Sequence, residues 1–166
     1  MALKQIENQF LQQKSETKRS RSFLLAAQGA QMATRGIRGA TTVAADEPEA
    51  IILATQELLQ EMMKRNAGMR ADDIAGAWFT LTSDLCSVYP AQAAREMGWA
   101  SVPMMCAQEI PVPGALPMAI RVLIQWNTGA PQSEIRHVYL RKAARLRPDL
   151  RPAQEITLPG FEETPS

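Results

Sequence analysis

Arginines set inside apolar runs are the side chains of this sequence best suited to chemistry. Arg38 lies in Arg35-Gly-Ile-Arg-Gly-Ala-Thr-Thr42, Arg121 in Ile120-Arg-Val122, and Arg136 leads into His-Val-Tyr-Leu140. A buried or half-buried guanidinium is costly unless a partner compensates its charge. Tyr89, Arg95, Cys106 and Glu109 occur in similar settings, in Tyr89-Pro-Ala-Gln-Ala-Ala-Arg95 and Cys106-Ala-Gln-Glu109. Several such arginines with few carboxylates beside them predict a site that awaits a small anion. Thirteen arginines against five lysines point the same way. A planar guanidinium grips a carboxylate through two parallel hydrogen bonds, whereas an ammonium is a mobile point charge.

Composition removes several competing chemistries. A net charge of +1 gives no lopsided basic surface for nucleic acid, and no apolar run is long enough to span a bilayer. Cys86 and Cys106 form neither a disulfide framework nor a zinc-type spacing. The lone His137 cannot build a metal site and reads as structural. GxGxxG, P-loop and GxSxG patterns are missing from the sequence, so nucleotide cofactors and serine hydrolysis are unsupported. The expectation is a catalyst or binder without cofactor or metal, making no contact with nucleic acid or membrane.

The elements that must hold these residues can be read from periodicity. Ile37 to Val43 predicts a strand. Asp46, with Glu49 three residues on, predicts a capped helix start. Ile51, Ile52, Thr55, Leu58, Leu59, Met62 and Met63 follow at helical spacing, a helix of about five turns stopped near Gly68. A short turn at Asp72-Asp73-Ile74 leads to a strand through Trp78–Leu81, then a short helix over Ala91–Met97 after Pro90. Further strands are predicted over Val102–Cys106, Ile120–Trp126 and Arg136–Leu140, with a loop at Pro111–Ala115 and a turn at Pro131–Glu134. This order predicts a mixed α/β (α+β) domain whose strands outnumber its helices. One long helix cannot cover both faces of the sheet, so oligomerisation is expected to bury the other.

Residues 1–31 read as a disordered or weakly helical extension with no part in the chemistry, and Met32 as an alternative start. The patch Phe23–Ala27 is too short for an export signal, which favours a cytoplasmic protein. Residues 32–150 form the domain. The tail over 151–166 is expected to be flexible, with irregular chain from Pro148 onward.

Nine segments, in order, carry a resemblance: Arg35–Val43, Tyr89–Glu96, Gly98-Trp99 with Val102-Pro103, Cys106–Glu109, Pro113–Leu116, Ile120–Val122, Pro131-Gln132, Ile135–Leu140 and Leu146–Leu150. Together they resemble the monofunctional chorismate mutases of the trimeric, Bacillus type, over about Arg35 to Leu150. The resemblance implies a homotrimer with a pseudo α/β-barrel core and active sites between subunits. It also implies the cofactor-free Claisen rearrangement of chorismate to prephenate, toward phenylalanine and tyrosine.

Position by position, the resemblance implies that Arg121 faces the ether oxygen, Arg38 binds a substrate carboxylate, and Tyr139 donates its hydroxyl nearby. Glu109 would accept from the ring hydroxyl, with Cys106 beside it. Tyr89, where the family usually has phenylalanine, and Arg95 would come from the neighbouring subunit, while Leu146 and Arg147 would close over the ligand. Gln92 stands where lysine is common, and Arg145 replaces an apolar residue in a strand before Leu146. Arg35 and Arg136 are expected to form structural ion pairs. A competing reading is a non-catalytic trimeric sensor of a small carboxylate. Glu109 argues against it, because a binder of dianions gains little from a carboxylate in its pocket.

Overall fold

The computed structural model describes residues 32–150, so the extension and tail expected at 1–31 and 151–166 lie outside the described residues. Five strands form one mixed sheet. They are β1 (Ala33–Thr42), β2 (Ile74–Leu81), β3 (Met104–Gln108), β4 (Ala119–Thr128) and β5 (Val138–Tyr139), in the spatial order β3-β2-β4-β1-β5. β4 runs antiparallel to both β1 and β2, while β3 and β5 join the two edges in parallel. The expected mixed domain is present. The last two strands, β4 and β5, lie on opposite sides of β1.

One face of the sheet is closed by α1 (Pro48–Arg65), whose Leu58, Leu59 and Met62 are buried with Ile37, Phe79, Val122 and Ile124 in the main core. Gly39 allows this close approach. A Cβ at Gly39 would collide with the Met62 sulfur and come within 2.9 Å of Val122 Cγ1. The short helix α2 (Ala91–Glu96) packs beside α1 and ends in a paired turn. There the Trp99 amide donates to the Ala94 carbonyl and the Gly98 amide to Arg95, with Gly98 at φ 91°. This is the Schellman arrangement, in which a left-handed residue lets the chain reverse over its own helix end. It drives Trp99 into the core, where it is 1% exposed.

Five local expectations are corrected. Asp46 does not cap α1, which starts at Pro48 with Glu47 before it and no side-chain cap bond. The Asp46 carboxylate instead accepts the Cys86 and Ser87 amides, both at 3.0 Å, and ties the loop after β2 to the end of β1. The strand expected at Val102–Cys106 begins at Met104, because Pro103 has no amide to donate and offers only its carbonyl, to Ala77. The strand expected at Arg136–Leu140 shrinks to two residues. Asn66, at the end of α1, takes both backbone groups of Arg136, donating to its carbonyl at 2.9 Å and accepting its amide at 2.9 Å. After β5 the chain forms a 3₁₀ helix over Arg141–Leu146, so Arg145 lies in no strand, and a 3₁₀ turn over Pro148–Leu150 replaces the irregular chain expected there.

The Asp46 bonds carry a pH signature. Its carboxyl pKa is lowered, first by the Ser87 amide and then by the Cys86 side chain. A carboxyl depressed on folding stabilises the protein fully above its unfolded pKa, about 3.9. That contribution fades as pH falls through the folded value. Asp46→Ala should therefore melt below wild type at pH 7, with the gap closing as pH falls below about 4. A gap that stays constant to pH 2 would show that the carboxylate does not tie this loop.

Candidate active site

Strand register places the expected residues in rows on the sheet face opposite α1. Tyr139 is opposite Ala40, Ala40 opposite Arg121, and Arg121 opposite Thr80. One step along, Arg38 is opposite Leu123, which is opposite Trp78. Alternation then points every second side chain to the same side. These residues, with Leu146 and Arg147 from the turn after β5, line one open cleft of about 580 Å³. Of the expected residues, Arg38, Arg121, Tyr139, Leu146 and Arg147 therefore share it.

Glu109 joins them from the end of β3. Its amide donates to the Leu81 carbonyl at 2.8 Å, carrying the β2–β3 pairing one residue further. Its carboxylate forms an ion pair with the Arg121 guanidinium and accepts the Thr80 hydroxyl at 2.6 Å. Arg121 is 30% exposed and Glu109 15%, so the pair is half sheltered and one side of the guanidinium remains open to the cleft. Arg147 is held by Asp149 through two parallel bonds, at 2.9 and 2.8 Å. That contact first, and the Tyr139 hydroxyl after it, raise the Arg147 pKa.

The remaining expected residues stand apart. Cys106 pairs with Phe79 and packs on the main core, on the α1 side of the sheet. With Tyr89, Leu85 and Val88 it lines a second cleft of about 460 Å³. Tyr89 is 73% exposed. Arg95 is exposed on α2 and lines neither cleft. Gln92 donates to Glu96 at 2.9 Å, and Gln56 of α1 donates to the other oxygen of the same carboxylate, so these residues latch the two helices. The ion pairs expected of Arg35 and Arg136 do not form among the described residues. Arg35 donates to the Ala130 carbonyl and Arg136 to that of Ser133.

Thr80, Trp78 and Leu123 are cleft residues that sequence reading left unassigned. The signal was present: Thr80 and Trp78 alternate on β2, as Arg121 and Leu123 do on β4. Pairing across strands was needed to place them with Arg38.

Fold and cleft define a small α+β protein with an open cleft that gathers three arginines and one tyrosine. Among the described residues, no cluster of three His, Cys, Asp or Glu side chains could hold a metal, and no helix is long and apolar enough to cross a membrane. Residues 34–150 match the family model described as chorismate mutase type I. Over 120 residues the chain is 56% identical to a chorismate mutase AroH of Thermus thermophilus, covering 72% of this chain and 98% of that protein. It is 46% identical over 120 residues to the chorismate mutase AroH of Bacillus subtilis strain 168, covering 72% of this chain and 94% of the relative. A solved chorismate mutase from Clostridium thermocellum superposes with a TM-score of 0.65 at 47% identity, covering 66% of this chain and 97% of the other. The chain belongs to the chorismate mutase type I family, and by that membership is an isomerase of aromatic amino acid biosynthesis.

Proposed function

We propose that the cleft under Arg38, Arg121, Tyr139 and Arg147 binds chorismate and promotes its rearrangement to prephenate. The observation that carries this is the Arg121–Glu109 pair: a guanidinium open to the cleft, with a carboxylate fixed beside it. The reaction breaks a C–O ether bond as a C–C bond forms, with no covalent attachment to protein and no proton transfer. Two contributions suffice. The flexible enolpyruvyl arm must be held over the ring, and the charge that separates as the ether stretches must be stabilised.

Negative charge grows on the ether oxygen, where Arg121 is placed to meet it. The ring becomes cation-like, and Glu109 lies where it accepts the ring hydroxyl and faces that charge. Both interactions strengthen as the bond stretches, so they lower the barrier rather than merely tighten binding. Arg38 and Arg147 grip the two substrate carboxylates, with the Tyr139 hydroxyl beside them and Leu146 closing the rim. The sensor reading has no observation in its favour, since a site built only for a dianion would not hold Glu109 against Arg121.

Tyr89 and Arg95 act in the cleft of a neighbouring subunit in this reading, and Cys106 serves as a small apolar residue packed on the main core. Supporting the trimer, Trp78, Leu123 and Met105 form an exposed apolar row on the sheet face that α1 leaves bare, and Trp78 is 50% exposed. Two free thiols fit a reducing, cytoplasmic setting.

Purified protein should abolish the ultraviolet absorbance of chorismate as prephenate forms, and removal of residues 1–31 should leave the rate within about twofold, as for a change distant from the site. Chorismate that persists with folded protein would refute the reading. A large loss on truncation would instead place the extension in the mechanism.

A further inference from the structure

We propose that His137 is a positioning residue: its imidazole completes the sheet at the backbone of Arg38 and so fixes where the Arg38 guanidinium enters the cleft. This deepens the chorismate reading and rests on it for the consequence to substrate.

The geometry begins with a gap in the β1–β5 ladder. In a parallel pair, every second residue of one strand bonds the other strand on either side of its partner. Ala40 obeys this, accepting the Leu140 amide at 2.9 Å. Two residues back, the Arg38 amide faces the place where a carbonyl before Val138 would continue the pattern. That continuation is blocked, because Asn66 holds Arg136 by both its amide and its carbonyl and β5 begins only at Val138. The Arg38 amide is served instead by His137 Nδ1, at 3.1 Å. A side chain thus replaces a main-chain acceptor at the residue whose guanidinium lines the cleft.

Accepting at Nδ1 requires that this nitrogen carry no proton, which fixes the neutral tautomer with hydrogen on Nε2. The surroundings favour that form. Burial first, then the charges of Arg147 and Arg38, hold the His137 pKa below its ordinary value. The same imidazole bonds the backbone of one cleft arginine and feels the charge of a second, so its loss would free the backbone of Arg38.

Three variants separate acceptance from bulk. Asparagine places an oxygen near the position of Nδ1, leucine offers no acceptor, and glutamine moves its oxygen one carbon further out. His137→Asn should keep kcat and KM within about threefold of wild type. His137→Leu should raise KM for chorismate by up to about tenfold with kcat changed less than about threefold, the upper end of the loss expected for one hydrogen bond. Should His137→Leu not fold, His137→Gln takes its place with the same expectation. A readout independent of turnover is hydrogen exchange at the Arg38 amide. It should stay slow in wild type and His137→Asn, and become at least about tenfold faster in the non-accepting variant. Equal protection in all variants, or equal loss in His137→Asn and His137→Leu, would overturn the inference. If exchange follows the expected pattern while wild type leaves chorismate untouched, the substrate assignment fails and the placement of Arg38 by His137 stands.

Discussion

Replacing Arg121 by alanine is expected to lower kcat for chorismate by about 100- to 1,000-fold, the range found when a preorganised charge-stabilising donor is removed from an active site. Arg121 sits on β4 between Ala40 and Thr80, in the middle of the sheet, so its backbone is held by strands on both sides. The alanine variant loses the cation but keeps that backbone. It also leaves the Glu109 carboxylate with the Thr80 hydroxyl as its remaining polar contact among the described residues, so circular dichroism and the thermal midpoint must accompany the kinetics. Arg121→Lys restores charge without the planar fork that meets Glu109 and, in the proposed mechanism, a ligand oxygen. It should recover only part of the rate. Turnover of the alanine variant within tenfold of wild type would remove Arg121 from the role assigned to it.

The second large effect concerns stability. Trp99→Ala should cost about 3–5 kcal/mol, because a fully buried indole leaves both lost transfer energy and a cavity. Trp99 follows the left-handed Gly98 and pins the end of α2 against the main core. The apparent melting midpoint, at fixed protein concentration, should fall by at least about 10 °C. Arg95 rides on the same short helix, so activity should fall with it even well below the melt. A midpoint within about 3 °C of wild type would mean the indole is not a core anchor.

The fold was legible where local pattern and tertiary structure agree. The apolar spacing from Ile51 to Met63 reports α1, and the β-branched runs report β1 and β4. It was misread where a side chain took over a backbone group. Asn66 removed Arg136 from the sheet, Asp46 was drawn to the Cys86 loop instead of the helix end, and Pro103 delayed β3. The first two leave no trace in hydrophobic periodicity, because each joins residues distant along the chain, whereas the missing amide of Pro103 is a local signal that periodicity alone passes over.

The site was legible to a similar degree and for a similar reason. Arginines in apolar strands are conspicuous, so Arg38 and Arg121 stand out. Their partners depend on register: Thr80 beside Glu109, Trp78 beside Leu123, and His137 beneath Arg38. Cys106 illustrates the opposite case. Its neighbourhood in sequence puts it near Glu109, yet alternation along β3 turns its side chain to the core.

The proposed mechanism depends on a guanidinium that favours a stretched, charge-separated ether over substrate or product. Calorimetry on wild type and Arg121→Ala tests this most directly, using as ligands prephenate and a rigid bicyclic dicarboxylate with a bridging ether oxygen, shaped like the transition state. Loss of Arg121 should weaken the bicyclic ether at least about tenfold more than it weakens prephenate. Equal weakening of both ligands would show that Arg121 only attracts anions, and would contradict its place in the rearrangement.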